Sequence, residues 1–113
     1  MRLKDKIAIV TGGSQGIGKA ICELFAKQGA TVIIMDLLPK GQEVANDIIS
    51  TGGKSEFHTV SVTDKLAVEA LFEQVNSKYG KIDILINNAG ITRDRTLEKM
   101  TEDEFDAVIE VNL

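Results

Sequence analysis

The chain lacks the marks of a secreted, membrane-spanning or nucleic-acid-binding protein. Its single cysteine, Cys22, excludes an internal disulfide and favours a reducing, cytoplasmic setting. No apolar run approaches the roughly 20 residues that a membrane-spanning helix needs, and the charged residues 1–6 do not resemble a signal peptide. The net charge of -4 comes without a basic run or an aromatic-rich basic patch. We therefore expect neither nucleic acid nor a membrane as a partner.

Metal ligands and reactive side chains are also scarce. The one histidine, His58, has no Cys or His at ligand spacing, so we expect it to be structural and expect no metal site. Cys22 follows Ile21 on a helical pattern and is interpreted as a packed thiol rather than a nucleophile. Asp64 precedes a helical pattern and is interpreted as a helix cap rather than a catalytic acid.

Apolar periodicity divides the 113 residues into alternating strands and helices. Short apolar runs rich in β-branched residues predict strands at residues 7–10, 31–35, 57–62 and 82–86. Helical spacing and end signals predict helices near Ile17 to Gly29, Pro39 to Gly52, Asp64 to Gly80, and from Thr101 through Phe105, Val108, Ile109 and Leu113. This order implies one α/β domain over residues 1–113. We expect a Rossmann-like, doubly wound parallel sheet, truncated after the fourth strand and the start of the following helix.

The most informative segment is the glycine-rich turn Thr11-Gly12-Gly13-Ser14-Gln15-Gly16-Ile17-Gly18. It follows the first predicted strand and opens the first predicted helix. Glycines let backbone N–H groups approach a diphosphate, and the helix N-terminus adds partial positive charge. The segment therefore predicts a dinucleotide-binding turn. An ordinary tight turn is the alternative.

Asp36 ends the second predicted strand. In this architecture a carboxylate at that position accepts hydrogen bonds from the adenosine ribose and repels a 2′-phosphate, which favours NAD over NADP. A surface acid or the N-cap of the next helix is the alternative interpretation.

The segment Asn87-Asn88-Ala89-Gly90 follows the fourth predicted strand. Ligands of open parallel sheets bind at the carboxyl ends of strands, and small or amide residues there let a ribose lie close to the backbone. Taken alone, the segment could also be a simple turn.

These motifs, in this order, resemble the N-terminal part of the short-chain dehydrogenase/reductase family. The family's T-G-x-x-x-G-I-G turn is matched at residues 11–18, its N-N-A-G motif at residues 87–90, and its helical active-site asparagine by Asn112. The run of residues 88–94 is similar to that of the 3-oxoacyl-[acyl-carrier-protein] reductases and the related acetoacetyl-CoA reductases. The resemblance covers the whole chain.

The resemblance implies a role for each matched position. The cofactor's pyrophosphate and adenosine side would be lined by Gly12, Ser14, Gln15, Gly16, Ile17 and Gly18. Asp36 would hold the ribose. The remaining cofactor contacts would be Ser61 and Val62 at the adenine, and Asn88, Ala89 and Gly90 at the nicotinamide ribose side. Asn112 would be the one catalytic residue present and would hold a water in a proton relay.

Two departures from the family pattern bear on the cofactor. NADP-using acyl-carrier reductases commonly have an arginine where Gln15 stands. Its absence, together with Asp36, implies that NAD(H) is favoured over NADP(H). Ser61 stands where Asp or Asn is common, so the Val62 backbone is the firmer adenine contact.

The family's catalytic Ser and Tyr-x-x-x-Lys pair are not in this sequence. Its one tyrosine, Tyr79, is followed at the fourth position by Asp83 and is interpreted as structural. Without a proton donor beside the hydride acceptor, the reduction barrier is not lowered enough, so this chain alone is expected to be inactive.

Two hypotheses follow for the function. The first is a cytoplasmic oxidoreductase that reduces a small-molecule or carrier-bound 3-oxoacyl thioester, within a parent protein that is a homo-oligomer. The second is a nucleotide-binding fragment or module without turnover. Arg93 and Arg95 would meet an acidic carrier or a CoA phosphate under the first hypothesis, and are solvated loop charges under the second.

Overall fold

The described part of the chain forms a parallel sheet flanked by three helices. The computed structural model describes residues 2–88 and the backbone of residues 109–112. Its elements in chain order are β1 Ile7–Thr11, α1 Gly16–Lys27, β2 Thr31–Asp36, α2 Gly41–Ser50, β3 Lys54–Thr59, α3 Lys65–Tyr79, β4 Ile84–Asn87 and β5 Ile109–Asn112. Neighbouring strands pair in parallel in the order β3-β2-β1-β4-β5. The predicted Rossmann-like, doubly wound sheet is confirmed.

The sheet is covered on both faces, which explains the unbroken apolar runs of β1 and β2. On one face, Val10 and Ile34 pack with residues of α1 and α2 such as Cys22 and Val44. On the other face, α3 covers the strands, and its Phe72 is fully buried. Consecutive strand residues point to opposite faces, so each must be apolar when both faces are dry. Burying a side chain of this size contributes about 2–3 kcal/mol.

Several helix ends follow the predicted chemistry. The Asp64 carboxylate accepts a hydrogen bond from the backbone N–H of Ala67 at 3.1 Å and caps α3. Gly80 ends α3 in the left-handed conformation, with φ 81°, and Gly29 follows α1 with φ 98°. Pro39, predicted in the first turn of α2, instead lies ahead of it, because its carbonyl closes a turn with the N–H of Gln42 at 3.0 Å.

The third strand lies earlier in the chain than predicted. It spans Lys54–Thr59 instead of residues 57–62, because β3 pairs with β2 from Thr31↔Lys54 to Asp36↔Thr59. An edge strand does not need an apolar run, and this one is polar. Val60 and Val62 supplied the apolar signal, but they follow the strand and pack against the α3 side of the core. The fourth strand also shifts, from residues 82–86 to Ile84–Asn87.

The helix predicted from Thr101 through Leu113 is wrong at residues 109–112, which form strand β5 in parallel with β4. Ile109 and Val111 are β-branched and favour strands. Pairing also satisfies backbone groups of β4 that would otherwise form an open sheet edge. Residues 101–108 and Leu113 lie outside the described residues, so the capping signal at Thr101 stays a prediction.

Glu56 connects β3 to the end of α3 through a charged cluster. Its Oε1 lies 3.0 Å from Nε2 of His58 and its Oε2 lies 2.5 Å from Nζ of Lys78, and Tyr79 also donates a short hydrogen bond to it. Burial alone would raise the pKa of Glu56. The hydrogen bonds from Lys78, Tyr79 and His58 outweigh that effect and lower the pKa to about 2. These contacts give Tyr79 and His58 the structural roles expected from the sequence.

We predict that Glu56→Gln lowers the free energy of unfolding by about 1–2 kcal/mol at neutral pH, because the charged acceptor of this cluster is lost. The folded-state pKa of Glu56 lies below its ordinary value of 4.5, so its stabilisation is present above pH 4.5 and is lost as the pH falls towards about 2. Measured by urea unfolding, the free energies of unfolding of the wild type and the variant should converge as the pH falls through that interval. Glu73→Gln, at an exposed carboxylate of α3, is the matched control. A difference between the two free energies of unfolding that persists at low pH contradicts this account.

Candidate functional site

The carboxyl ends of three strands meet at one edge of the sheet. Thr11 ends β1 in register with Met35 of β2 and Asn87 of β4. The strand order reverses between β1 and β4, since β2 lies on one side of β1 and β4 on the other. Open α/β sheets bind ligands at such a point, outside the carboxyl ends of the strands. The predicted glycine turn lies there.

The glycine turn brings α1 against the end of β1. A Cβ atom on Gly18 would lie 2.0 Å from the carbonyl oxygen of Gly12, so no larger residue fits this approach. Gly12 and Gly16 have φ of 69° and 59°, in the left-handed region that favours glycine. Apart from its chain neighbours and the backbone of its own helix, no described atom lies within 4 Å of the position of a Cβ on Gly16, so the space there is open.

The start of α1 is suited to an anion. Gln15 precedes the helix without capping it through its side chain, and the first turn carries no acidic residue. The first N–H groups of a helix are not paired within it and carry partial positive charge. The open space, the uncapped N–H groups and the lack of a carboxylate in this turn together fit a diphosphate. The ordinary tight turn, which the two positive φ values also suit, stays the alternative.

Asp36 ties the end of β2 to this turn. Its Oδ2 accepts a hydrogen bond from the backbone N–H of Ser14 at 3.1 Å, and its Oδ1 accepts from Leu37 and Leu38 at 2.7 and 3.3 Å. Ser14 is buried and its hydroxyl contacts the carbonyl of Leu38 at 3.4 Å. Since Lys40 precedes α2, Asp36 is not that helix's N-cap. The carboxylate is therefore held at the edge where a ribose is expected.

The first two residues of the asparagine motif hold the same turn from the other side. Asn88 donates from Nδ2 to the carbonyl of Gly12 at 3.2 Å. Thr11 donates from Oγ1 to Oδ1 of Asn87 at 3.2 Å, and both side chains are buried. Sequence analysis missed this pair, although a polar residue ending each of two buried runs was an available signal. Ala89 and Gly90 lie outside the described residues.

The segment that follows β3 lies beside the end of β2. The backbone N–H of Val60 donates to the carbonyl of Asp36 at 3.2 Å. The Ser61 hydroxyl contacts that of Thr63 at 2.7 Å, and Val62 packs against the core beneath α3. Ser61 and Val62 are thus near the predicted ribose position, and their contact with an adenine stays a prediction.

Two apolar side chains near the glycine turn and the end of β2 are exposed. Ile17 is 65% exposed and Leu37 is 59% exposed. Ile17 begins α1 and Leu37 follows β2, so each lies beside a predicted cofactor contact.

Asn112 ends β5 in register with Asn87. Its backbone therefore lies at the same sheet edge as the glycine turn. The strand differs from the helix in which the family resemblance set this residue, and its catalytic role stays a prediction.

Cys22 lies beneath the turn as a packed thiol. A Cβ on Gly13 would be 2.8 Å from its Sγ. Burial raises the pKa of Cys22 to about 12, so the reactive thiolate is disfavoured at neutral pH. Over residues 2–88 and 109–112, the structure has no group of three potential metal ligands. Within the same residues, no helix is long and apolar enough to cross a membrane.

Comparisons with known proteins identify the family of this chain. A profile of the short chain dehydrogenases matches residues 6–113. The chain belongs to the short-chain dehydrogenase family. It is 45% identical, over its whole length, to the 3-oxoacyl-[acyl-carrier-protein] reductase of Thermotoga maritima, and covers 46% of that protein. The chain thus spans about half the length of this curated relative.

Two solved structures of the family share the fold. A metagenomic short-chain oxidoreductase in complex with NADP has a TM-score of 0.77 and 34% identity, over 80% of this chain and 42% of that one. A 7α-hydroxysteroid dehydrogenase complexed with NADH and 7-oxo glycochenodeoxycholic acid has a TM-score of 0.73 and 39% identity, over 77% of this chain and 34% of that one. The fold therefore accommodates either dinucleotide.

We predict that Gly18→Ala lowers the free energy of unfolding by about 1–3 kcal/mol, because the new Cβ overlaps the Gly12 carbonyl. The sign is diagnostic, since glycine to alanine at an unhindered helix position stabilises by about 1 kcal/mol. Gly16→Ala is the matched control, with backbone strain but open space around its Cβ. Urea unfolding should rank Gly18→Ala as less stable than Gly16→Ala. A Gly18→Ala protein as stable as wild type contradicts the packing described here.

Proposed function

We propose that the protein carrying this chain is an NAD(H)-dependent oxidoreductase that reduces a 3-oxoacyl thioester to the 3-hydroxyacyl form. The thioester is borne by an acyl-carrier protein or by CoA. The observation that carries the proposal is the uncapped start of α1 beside the Asp36 carboxylate. The identity of 45% to a 3-oxoacyl-[acyl-carrier-protein] reductase supports the substrate class. When bound, the nicotinamide supplies the hydride.

Different residues bind different parts of the cofactor. The backbone N–H groups of residues 16–18 hold the diphosphate, and Asp36 accepts hydrogen bonds from the adenosine ribose hydroxyls. Ser61 and Val62 flank the adenine. Asn88, with Ala89 and Gly90 beyond the described residues, meets the nicotinamide ribose side. Asn88 also keeps the turn closed through its hydrogen bond to Gly12.

The preference for NAD(H) rests on two side chains. The Asp36 carboxylate repels a 2′-phosphate at short range. Gln15, which is neutral, stands where an arginine would attract one. The solved relatives hold NADP in one case and NADH in another, so the fold alone does not fix the choice of cofactor.

Turnover needs groups that this sequence does not contain. Asn112 is the one family catalytic position present, and we assign it to holding a water in the proton relay. The catalytic Ser and the Tyr-x-x-x-Lys pair are absent from the 113 residues, so we expect the isolated chain to bind the cofactor without reducing substrate. A cytoplasmic location and a homo-oligomeric parent protein belong to the same proposal.

The alternative is a nucleotide-binding module without turnover. The coding sequence after Leu113 distinguishes the reductase from the nucleotide-binding module. A Ser and a Tyr-x-x-x-Lys pair in frame support the reductase, whereas a genuine stop codon there contradicts it. For the whole protein, loss of NADH absorbance with acetoacetyl-CoA should then report the reaction, and no loss with any 3-oxoacyl thioester would contradict the substrate class.

We predict that Asp36→Asn narrows the preference for NAD(H). Asparagine keeps an oxygen for the Ser14 N–H but removes the negative charge, so NADPH should bind about fivefold more tightly, equivalent to about 1 kcal/mol. NADH should bind more weakly by a similar factor. Fluorescence titration of each variant measures both constants. Glu43→Gln, at an exposed carboxylate in the first turn of α2, is the control and should change neither. Tighter binding of NADPH than NADH by the wild-type protein would overturn the preference.

A further inference from the structure

Phe57 is an aromatic residue of the edge strand β3 that the roles above do not use. Its backbone lies in register with Ile34 of β2, and the strand order ends at β3. Its ring is half-buried and packs on the face of the sheet that α1 and α2 cover. Because α1 follows the glycine turn, the ring lies on the same face of the sheet as the helix that this turn begins.

The ring of Phe57 and the hydroxyl of Ser14 meet over the first residue of α2. A Cβ atom on Gly41 would lie 2.5 Å from Cδ1 of Phe57 and 2.7 Å from Oγ of Ser14. Both distances are shorter than a van der Waals contact, and Gly41 is buried. The ring and the hydroxyl are therefore neighbours, and they share the space that the side chain of a larger residue at Gly41 would need.

Ser14 connects the position of this ring to the glycine turn. It is 2% exposed, and its Oγ contacts the carbonyl of Leu38 at 3.4 Å. Its backbone N–H donates to Oδ2 of Asp36 at 3.1 Å. Close-packed interiors transmit displacements from one residue to the next. Removal of the ring would leave a cavity beside the Ser14 side chain and the start of α2, into which both could shift.

We propose that Phe57 is a positioning residue for dinucleotide binding. The ring acts through Ser14 and Gly41: it holds the Ser14 side chain and the first turn of α2 in place, and so keeps the backbone of the glycine turn at the spacing that a diphosphate needs. Binding groups that neighbouring side chains hold in place lose less entropy when the ligand arrives. This inference rests on the proposed binding of a dinucleotide at the glycine turn.

The test compares Phe57→Ala with wild type in the protein that carries this chain. Fluorescence titration should show NADH bound about fivefold more weakly, the factor that corresponds to one misplaced hydrogen bond. Phe57→Leu keeps a large apolar side chain and should restore the dissociation constant to within about twofold of wild type. In NMR spectra of the free proteins, the Ser14 amide resonance should move in Phe57→Ala and stay near its wild-type position in Phe57→Leu.

Ile48→Ala is the matched control, because Ile48 is buried on the same helix but near its C-terminal end. It should lower the urea midpoint at least as much as Phe57→Ala does, and leave NADH binding and the Ser14 amide resonance unchanged. If Phe57→Ala does not fold, Phe57→Val takes its place, with NADH binding weakened about threefold because less volume is removed.

The outcomes distinguish the role of Phe57 from the function itself. Unchanged NADH binding in a folded Phe57→Ala or Phe57→Val protein would overturn the role of Phe57 and leave dinucleotide binding intact. Equal weakening of NADH binding in Ile48→Ala would overturn it as well, because the effect would then follow from lower stability alone. Failure of the wild-type protein to bind NADH would instead contradict the proposed function.

Discussion

The missing side chain at Gly18 is the constraint on which the rest of the site depends. Because no Cβ stands between α1 and the Gly12 carbonyl, the helix begins directly against the end of β1. That approach leaves the first N–H groups of α1 uncapped above open space, and lets Asn88 reach the Gly12 carbonyl from β4. The absence of one methyl group thus connects the packing of the sheet to the electrostatics of the proposed diphosphate site.

The charged groups around this turn differ in whether the backbone or another side chain holds them. Backbone N–H groups are fixed by the fold, and they hold the Asp36 carboxylate in place through Ser14, Leu37 and Leu38. At the surface, the Lys40 side chain donates a hydrogen bond to that of Gln15. The groups fixed by the backbone are the ones that the proposed dinucleotide site depends on.

The central strands could be predicted from sequence because both of their faces are buried. The predicted ends of β1 and β2 lie within one residue of the observed ends. The bounds of the edge strand β3 could not be predicted in this way, because this polar strand has no apolar run. The apolar residues Val60 and Val62 follow the strand and shifted its predicted position. Residues 109–112 satisfy helical spacing as well as β-branched preference, and only pairing with β4 separates the two. The Thr11–Asn87 and Gln15–Lys40 contacts join distant parts of the chain, so no local pattern contains them.

The central claim is that the glycine turn binds the cofactor. Backbone amide chemical shifts, recorded by NMR during titration with NADH, test it most directly. The account predicts the largest changes at Ser14, at residues 16–18 and at Leu37 and Leu38, where N–H groups surround the expected diphosphate and ribose. Changes confined to the groove between α1 and α2, lined by residues such as Lys27 and Asp47, would contradict it.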